Sequence, residues 1–384
     1  DVPGEPINES RHPIYYSQRA AGSETWETEL VHKALHVDVP TGLSFRFAPD
    51  GTPSLAMFGG EAVEKLCSAN DLVFATRGAP GTWAFKTAVA DSGEAGVPEW
   101  ATCPVEAAQK GYTVGSWPAL AFDKVGNAGM MYRDNHYGGM QSDEIRRADA
   151  EMALSSGGGW TPQMVDCGEG GGRDNAALFD SEGRFIGFHR ITMEAHLEDR
   201  HGLWAHRLEA DGTWTVHRLV TGNVGFGEGA VVAGPEGTLS LVYHETADGD
   251  PWVAHLIDPL LFADGGGWQH EMIGDARYDE GTYATIARAP DGTVAVAYYR
   301  CARVGEGEDG CDDGTDALIF AYRSRTTNTW MRETVDEGTR GQCGTYTSLA
   351  FSPDGSAHIA YTCVRNPEGS TFVSELKVAT RRPL

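Results

Sequence analysis

Six tryptophans recur in one local setting: "ETWETELV" at Trp26, "GTWAFKTAV" at Trp83, "GGWTPQMV" at Trp160, "GTWTVHRLV" at Trp214, "GGWQHEMI" at Trp268 and "NTWMRETV" at Trp330. They stand 54 to 77 residues apart. A second marker, an apolar run closed by a polar turn with glycine, recurs as "FRFAPDGT", "LAFDKVGN", "ALFDSEGR", "VVAGPEGT", "IARAPDGT" and "LAFSPDGS". Two more short strands fit between the markers. Strand a ends in the glycine turn, and strand b follows as the return of a hairpin. Strand c carries "LVFATR", "LWAHR", "LIFAYR" or "LKVATR", and strand d opens with tryptophan. Four strands repeated at this period are the signature of a propeller blade.

The abundance of glycine, 49 of 384 residues, and the ten tryptophans agree with short strands and tight turns. The sequence therefore predicts an all-β, six-bladed β-propeller with four-stranded blades as one domain. Blades are expected at 41–95, 115–168, 173–222, 227–276 and 281–336, with a sixth made from 344–384 plus 12–32. The sixth closes the ring, because the last repeat supplies strands a, b and c while the Trp26 segment supplies d; closure removes free sheet edges. Both "IYYSQR" and "LKVATR" read as strand c for one place. The C-terminal copy is favoured, since a local hairpin costs less loop entropy.

"GTYTSLAFSPDGSAHIAYT", followed by "LKVATR" and a tryptophan strand, resembles a repeat of secreted bacterial β-propeller proteins, in which units of the form YTSLA-x4-G-x2-HIAY recur. The resemblance spans most of the chain and is sharpest in the last two repeats. It implies fold and location, and no activity.

The net charge of −25 argues against nucleic acid and against anionic membrane surfaces, which need a basic footprint. No apolar run reaches the ~20 residues of a membrane span. The opening "DVPGEPINES" reads as the exposed start of a mature chain from which a leader was removed. None of the seven cysteines forms a C-x-x-C pair. Expected disulfides are Cys301–Cys311, Cys343–Cys363 and Cys67–Cys103, with Cys167 free, in a secreted or periplasmic protein.

Functional residues are expected where strand b ends and strand a begins, at one mouth of the central channel. The strand-b anchors are Met57, Tyr132, Phe188, Tyr243, Tyr298 and Tyr361. The next position holds Phe58, Arg133, His189, His244, Tyr299 and Thr362, and the one after holds Asp134, Arg190, Glu245 and Arg300 among others. Asn135, His136 and Tyr137 extend this group, and the strand-a starts add Ser116 and Trp117, Arg173, Asp174 and Asn175, Glu228, Asp279 and Glu280, and Tyr283 and Tyr346.

Three chemistries fit these residues. In a binding module, Trp117, Tyr137, Tyr283 and Tyr346 stack on a glycan, a peptide or another small polar molecule, while Arg133, Asp174 and Asn175 hydrogen-bond it. In a polysaccharide lyase, Arg133, His189, His244, Tyr299 and Arg300 neutralise a uronate carboxylate and move the proton of a β-elimination. In a metal-dependent hydrolase, His189, His244 and Glu245 hold a transition metal. A Ca²⁺ ion in the channel or in the "GEDGCDDGTD" loop is a further expectation. The segment "MEAHLEDRHGLWAHR" lacks the zincin spacing and reads as a polar loop, and the insertion Glu94 to Val114 reads as a lid.

Overall fold

In this computed structural model the described residues are 11–20, 22–35, 42–59, 71–90, 113–135, 148–166, 170–192, 198–246, 249–275, 277–301, 316–337, 341–365 and 373–383. All regular structure among them is strand, apart from single 3₁₀ turns. No helix among them is long and apolar enough to cross a membrane.

The N-terminal strands β1 (Arg11–Gln18) and β2 (Glu27–Leu35) form a hairpin. The first blade runs β3 (Leu43–Phe47), β4 (Pro53–Gly59), β5 (Asp71–Arg77) and β6 (Trp83–Val89). The second runs β7 (Thr113–Phe122), β8 (Ala128–Asn135), β9 (Ala148–Ser156) and β10 (Gly159–Asp166). The third runs β11 (Arg173–Phe179), β12 (Phe185–Ile191), β13 (Gly202–Leu208) and β14 (Trp214–Thr221). In the fourth, strand a is broken into β15 (Val224–Gly225) and β16 (Val231–Ala233), which share β17 (Leu239–Glu245), before β18 (Asp250–Leu256) and β19 (Trp268–Met272). The fifth runs β20 (Asp279–Arg288), β21 (Val294–Cys301), β22 (Ala317–Arg323) and β23 (Trp330–Glu337). The last sheet is β24 (Gly341–Phe351), β25 (Ala357–Arg365) and β26 (Val373–Arg381). The fold class is the six-bladed β-propeller. The chain divides into two compact units whose boundary falls between Ala177 and Leu178, inside β11.

At the chain ends, the Trp26 strand, β2, pairs with β1, and β24–β26 form a three-stranded sheet. Both c-like segments are used: β26 lies beside β25, as favoured, and β1 lies beside β2. The β1–β2 connection is short, so that hairpin forms at small entropic cost.

Neighbouring sheets pack face to face. Leu72, Leu120, Met130 and Tyr132 fill the space between the first two blades. Val242, Val253, Ile286 and Tyr298 do the same between the fourth and fifth, and Phe320, Leu349, Ile359 and Tyr361 between the fifth and last. The fifth blade is therefore covered on both faces, and its middle strands are apolar on both. The six strand-b anchors expected from sequence are all buried.

At the outer edge the cores are tied by a recurring polar clasp. The arginine ending strand c pairs with the glutamate three residues after the tryptophan of the preceding strand d. Arg77 Nε lies 2.8 Å from Glu29, Arg323 Nη1 3.0 Å from Glu271, and Arg381 Nη2 2.7 Å from Glu333. In two junctions the next tryptophan joins: Trp83 Nε1 donates to Glu29 and Trp330 Nε1 to Glu271, each at 2.9 Å. The β1–β2 hairpin thus holds the first blade by the contact that the fourth blade makes with the fifth.

Turns follow from their residues. In "PDG" turns the aspartate accepts from the backbone two residues on, as Asp50 does from Thr52, Asp291 from Thr293 and Asp354 from Ser356. Cys343 and Cys363, opposite each other on β24 and β25, form the expected disulfide. Cys301 is disulfide-bonded. Cys67, Cys103, Cys167 and Cys311 lie outside the described residues, as do the "GEDGCDDGTD" loop and residues 94–112 of the insertion.

Arg77, then burial and further hydrogen bonds, act on Glu29, and the net effect lowers its pKa from 4.5 to about 2. The unfolded chain takes up this proton near the ordinary value and the folded chain only near pH 2. The clasp's stabilisation is thus complete above about pH 4.5 and is lost as pH falls toward 2. Thermal unfolding of Glu29→Gln is expected to show a lower Tm than the parent at neutral pH, with the difference closing across that acid window.

Candidate functional site

Strand a does not start smoothly. In four blades it opens with glycine, one further residue, and then a non-glycine residue in the left-handed region. These are "GSW" in β7, "GRD" leading into β11, "GTY" in β20 and "GTY" in β24. The third residues are Trp117 (φ 47°), Asp174 (φ 49°), Tyr283 (φ 55°) and Tyr346 (φ 52°). For a bulky side chain this conformation costs roughly 1–2 kcal/mol. In β7, β20 and β24 the pairing with strand b slips on both sides of the residue after glycine, so the third side chain leaves the regular alternation.

The glycine explains why the irregularity is kept. It packs against the second residue of the preceding blade's strand c. A Cβ on Gly115 would stand 2.6 Å from Leu72 Cα, and one on Gly344 would stand 2.8 Å from Leu318 Cα. Gly172 meets Asp149 and Gly281 meets Pro251 in the same way.

In the first unit, two arginines approach the Trp117 ring. The Arg133 guanidinium is 5.3 Å from its ring centroid and that of Arg173 is 5.5 Å away. Asn175 Nδ2 donates to the carbonyls of Trp117 and Gly172, both at 2.8 Å. Arg133 and Asp134 are buried, as is Asn175; Asp174 is half-buried, its Oδ2 3.8 Å from Arg173 Nε.

In the second unit the end of β17 meets the start of β20. His244 Nε2 is 3.2 Å from Asp279 Oδ1, and the histidine is only 6% exposed. Glu245 is half-buried. The Arg300 guanidinium stands 4.6 Å from the Tyr278 ring centroid and pairs in register with Glu280. Glu280 is buried, which raises its pKa, while Arg332 and Arg300 oppose that rise. Tyr283 is 45% exposed and Tyr346 64%, with centroids 4.5 Å apart and planes tilted by 48°. Tyr299 packs edge-on to Tyr283, and its hydroxyl donates to buried Asp316 at 2.5 Å. Burial and Tyr346 raise the pKa of Tyr283. Its hydroxyl is a neutral hydrogen-bonding group at ordinary pH.

The histidine pair that forms is His189 with His206. His189 is fully buried; its Nε2 faces Nε2 of His206 across β12 and β13 at 3.0 Å, with the rings stacked. Among the described residues, His189, His244 and Glu245 do not bring three ligand atoms within 4.8 Å of one another. His189 points to the opposite face of β12 from Phe188, whose ring stands 6.3 Å from that of Phe226, and on its own face it is taken up by the stacked ring of His206. Arg190 is half-buried and donates to the Val224 carbonyl at 2.7 Å. Asn135 lies on β8, while His136 and Tyr137 are outside the described residues, as is His196. Sequence reasoning missed Tyr278 and Asp316, which hold Arg300 and Tyr299. Tyr278 stands next to Asp279 and Glu280, and that adjacency was the available signal.

No family model and no curated protein sequence matches this chain. Solved structures do match. A protein of unknown function from Dyadobacter fermentans shares 14% identity over 88% of this chain and 93% of its own, with a TM-score of 0.51. Hydrazine synthase of Kuenenia stuttgartiensis shares 10% over 91% and 80%, with a TM-score of 0.50. A Hadza microbial sialidase shares 14% over 89% of this chain and 65% of its own, also at 0.50. These likenesses show the fold.

Gly344→Ala puts a Cβ against Leu318 and forces alanine to φ 108°. It is expected to destabilise the protein by roughly 2–3 kcal/mol. Denaturant unfolding checks this against Gly355→Ala, a turn glycine whose Cβ would meet only Pro383, at 3.5 Å and beyond.

Proposed function

We propose that this chain is a secreted β-propeller that binds a glycan, its aromatic rings at the strand-a starts serving as stacking platforms. The observation that carries the reading is the repeated turn holding Trp117, Tyr283 and Tyr346 at positive φ. Backbone strain kept at equivalent places in several blades marks a functional position. Tyr283 and Tyr346 also expose large ring surfaces side by side. A sugar presents apolar C–H faces and polar rims. Aromatic planes and hydrogen-bonding groups such as Asp279 and Arg300 match both features.

Binding is favoured over elimination or hydrolysis because the acid–base candidates are engaged beneath the surface. His189 is fully buried against His206, Tyr299 donates to Asp316, and Arg133 is 2% exposed over Trp117. A catalytic acid or base must reach the substrate's proton within hydrogen-bond distance. The Cys343–Cys363 disulfide supports an oxidising compartment. One solved protein with this fold is a sialidase, in keeping with sugar recognition.

Titration with a panel of neutral and uronate-containing oligosaccharides tests the reading. At least one is expected to bind without forming an unsaturated or hydrolysed product. Tyr346→Ala is expected to weaken that binding about tenfold, or about 1.4 kcal/mol. Product formation by the parent, or binding by Tyr346→Ala equal to the parent's, contradicts it.

A further inference from the structure

At the far end of β20 from Tyr283 the second unit carries a different kind of groove. It lies between the fourth and fifth blades, has a volume of about 470 Å³, and is lined by the ends of β18, β20 and β22 with the turns beside them. Three arginines and a histidine face it, in a chain of net charge −25. Arg325 is paired with Asp291 and Arg323 with Glu271. Arg288 is different. Its Nε donates to the Ala233 carbonyl at 3.3 Å and its Nη1 to that of Gly292 at 3.1 Å, and no carboxylate lies within ion-pair distance among the described residues. The two carbonyls fix the guanidinium, and Gly234 leaves room for Nη2, which a Cβ there would approach to 2.9 Å.

His255 adds a second observation. Ser240 Oγ is 2.8 Å from its Nδ1, while its buried Nε2 has no hydrogen-bond partner among the described residues. With the serine hydroxyl as donor, the ring proton sits on Nε2. A buried polar atom left unpaired calls for an explanation, and so does a half-buried guanidinium without a counter-ion. Burial keeps this histidine neutral, with a pKa of about 4, so the ring is a donor and not a second cation. An anion in the groove would offer both groups an acceptor, with Nη2 as the arginine donor that the two carbonyls leave over.

We propose that this groove is a binding site for a small molecule bearing a sulfate or phosphate group, held by Arg288 and His255 and bordered by Arg323, Arg325 and Asn328. The volume is that of ordinary ligand sites and exceeds the need of a bare anion. The site is separate from the tyrosine platform.

Calorimetry on the full chain with inorganic sulfate, inorganic phosphate, glucose 6-sulfate, glucose 6-phosphate and glucose tests the proposal. At least one anion is expected to bind with millimolar affinity or better, and glucose not at all. A sugar ester binding at least tenfold tighter than the free anion identifies the ester as the source; equal binding identifies the free ion. Arg288→Gln is expected to lose at least tenfold. Asn328→Asp, an exposed turn substitution that adds a negative charge, is expected to lose about fivefold and serves if Arg288→Gln fails to fold. Tyr346→Ala is expected to leave anion binding unchanged, which separates failure here from failure of the glycan reading. No anion binding above that of glucose, or anion binding unaffected by both groove variants, overturns the proposal.

Discussion

The contact on which the site depends is a glycine pressed against the preceding blade. Gly115, Gly172, Gly281 and Gly344 sit where a Cβ would collide with strand c of the neighbour. That contact sets the depth at which each inner strand begins. Two residues later the chain must turn through the left-handed region, and it does so with tryptophan, aspartate or tyrosine. The fold thereby converts close packing at the inner edge into side chains displayed away from the sheet. At the outer edge, arginine–glutamate clasps fix two of these pairs, the fourth blade with the fifth and the fifth with the last, from the other side. Between the two edges lie the apolar faces, which supply most of the stabilisation through burial.

This arrangement separates two roles that residue type alone would merge. The histidines, Arg133 and Tyr299 have the character of catalysts, yet their polar atoms are used within the protein, by His206, Asp279, Trp117 and Asp316. Two of them, Arg133 against Trp117 and Tyr299 against Tyr283, also support a displayed ring. Tyr283 and Tyr346, which carry no unusual chemistry, hold the exposed surface. A rigid support with exposed aromatic faces is the physical basis of preorganised binding, since little side-chain entropy remains to be lost.

Much of the fold was legible because a blade repeats its signals. The tryptophan opening strand d, the "PDG" turn and the "ATR" or "AYR" ending strand c each recur at one place in the structure. The Cys343–Cys363 bridge followed from their flanking one hairpin. Pairing at the chain ends was less legible, because "IYYSQR" and "LKVATR" have the same pattern and pattern does not rank two partners. The fate of His189 was not legible. Alternation tells which residues share a face, and only the neighbouring blade decides whether that face is wet. The positive φ of Trp117, Tyr283 and Tyr346 was hidden for a related reason, since nothing local marks "GSW" or "GTY" as left-handed. The groove at Arg288 was invisible because its lining comes from turns of two blades, dispersed in a strongly acidic chain.

The central claim is that the rings displayed by the strand-a turns meet the ligand while the buried tyrosines do not. Resonances of tyrosines labelled on the ring, followed while a bound oligosaccharide is titrated, test it directly. The account predicts large shifts for Tyr283 and Tyr346 with Tyr132 and Tyr298 unmoved. Shifts confined to other tyrosines, with Tyr283 and Tyr346 silent at saturation, would contradict it.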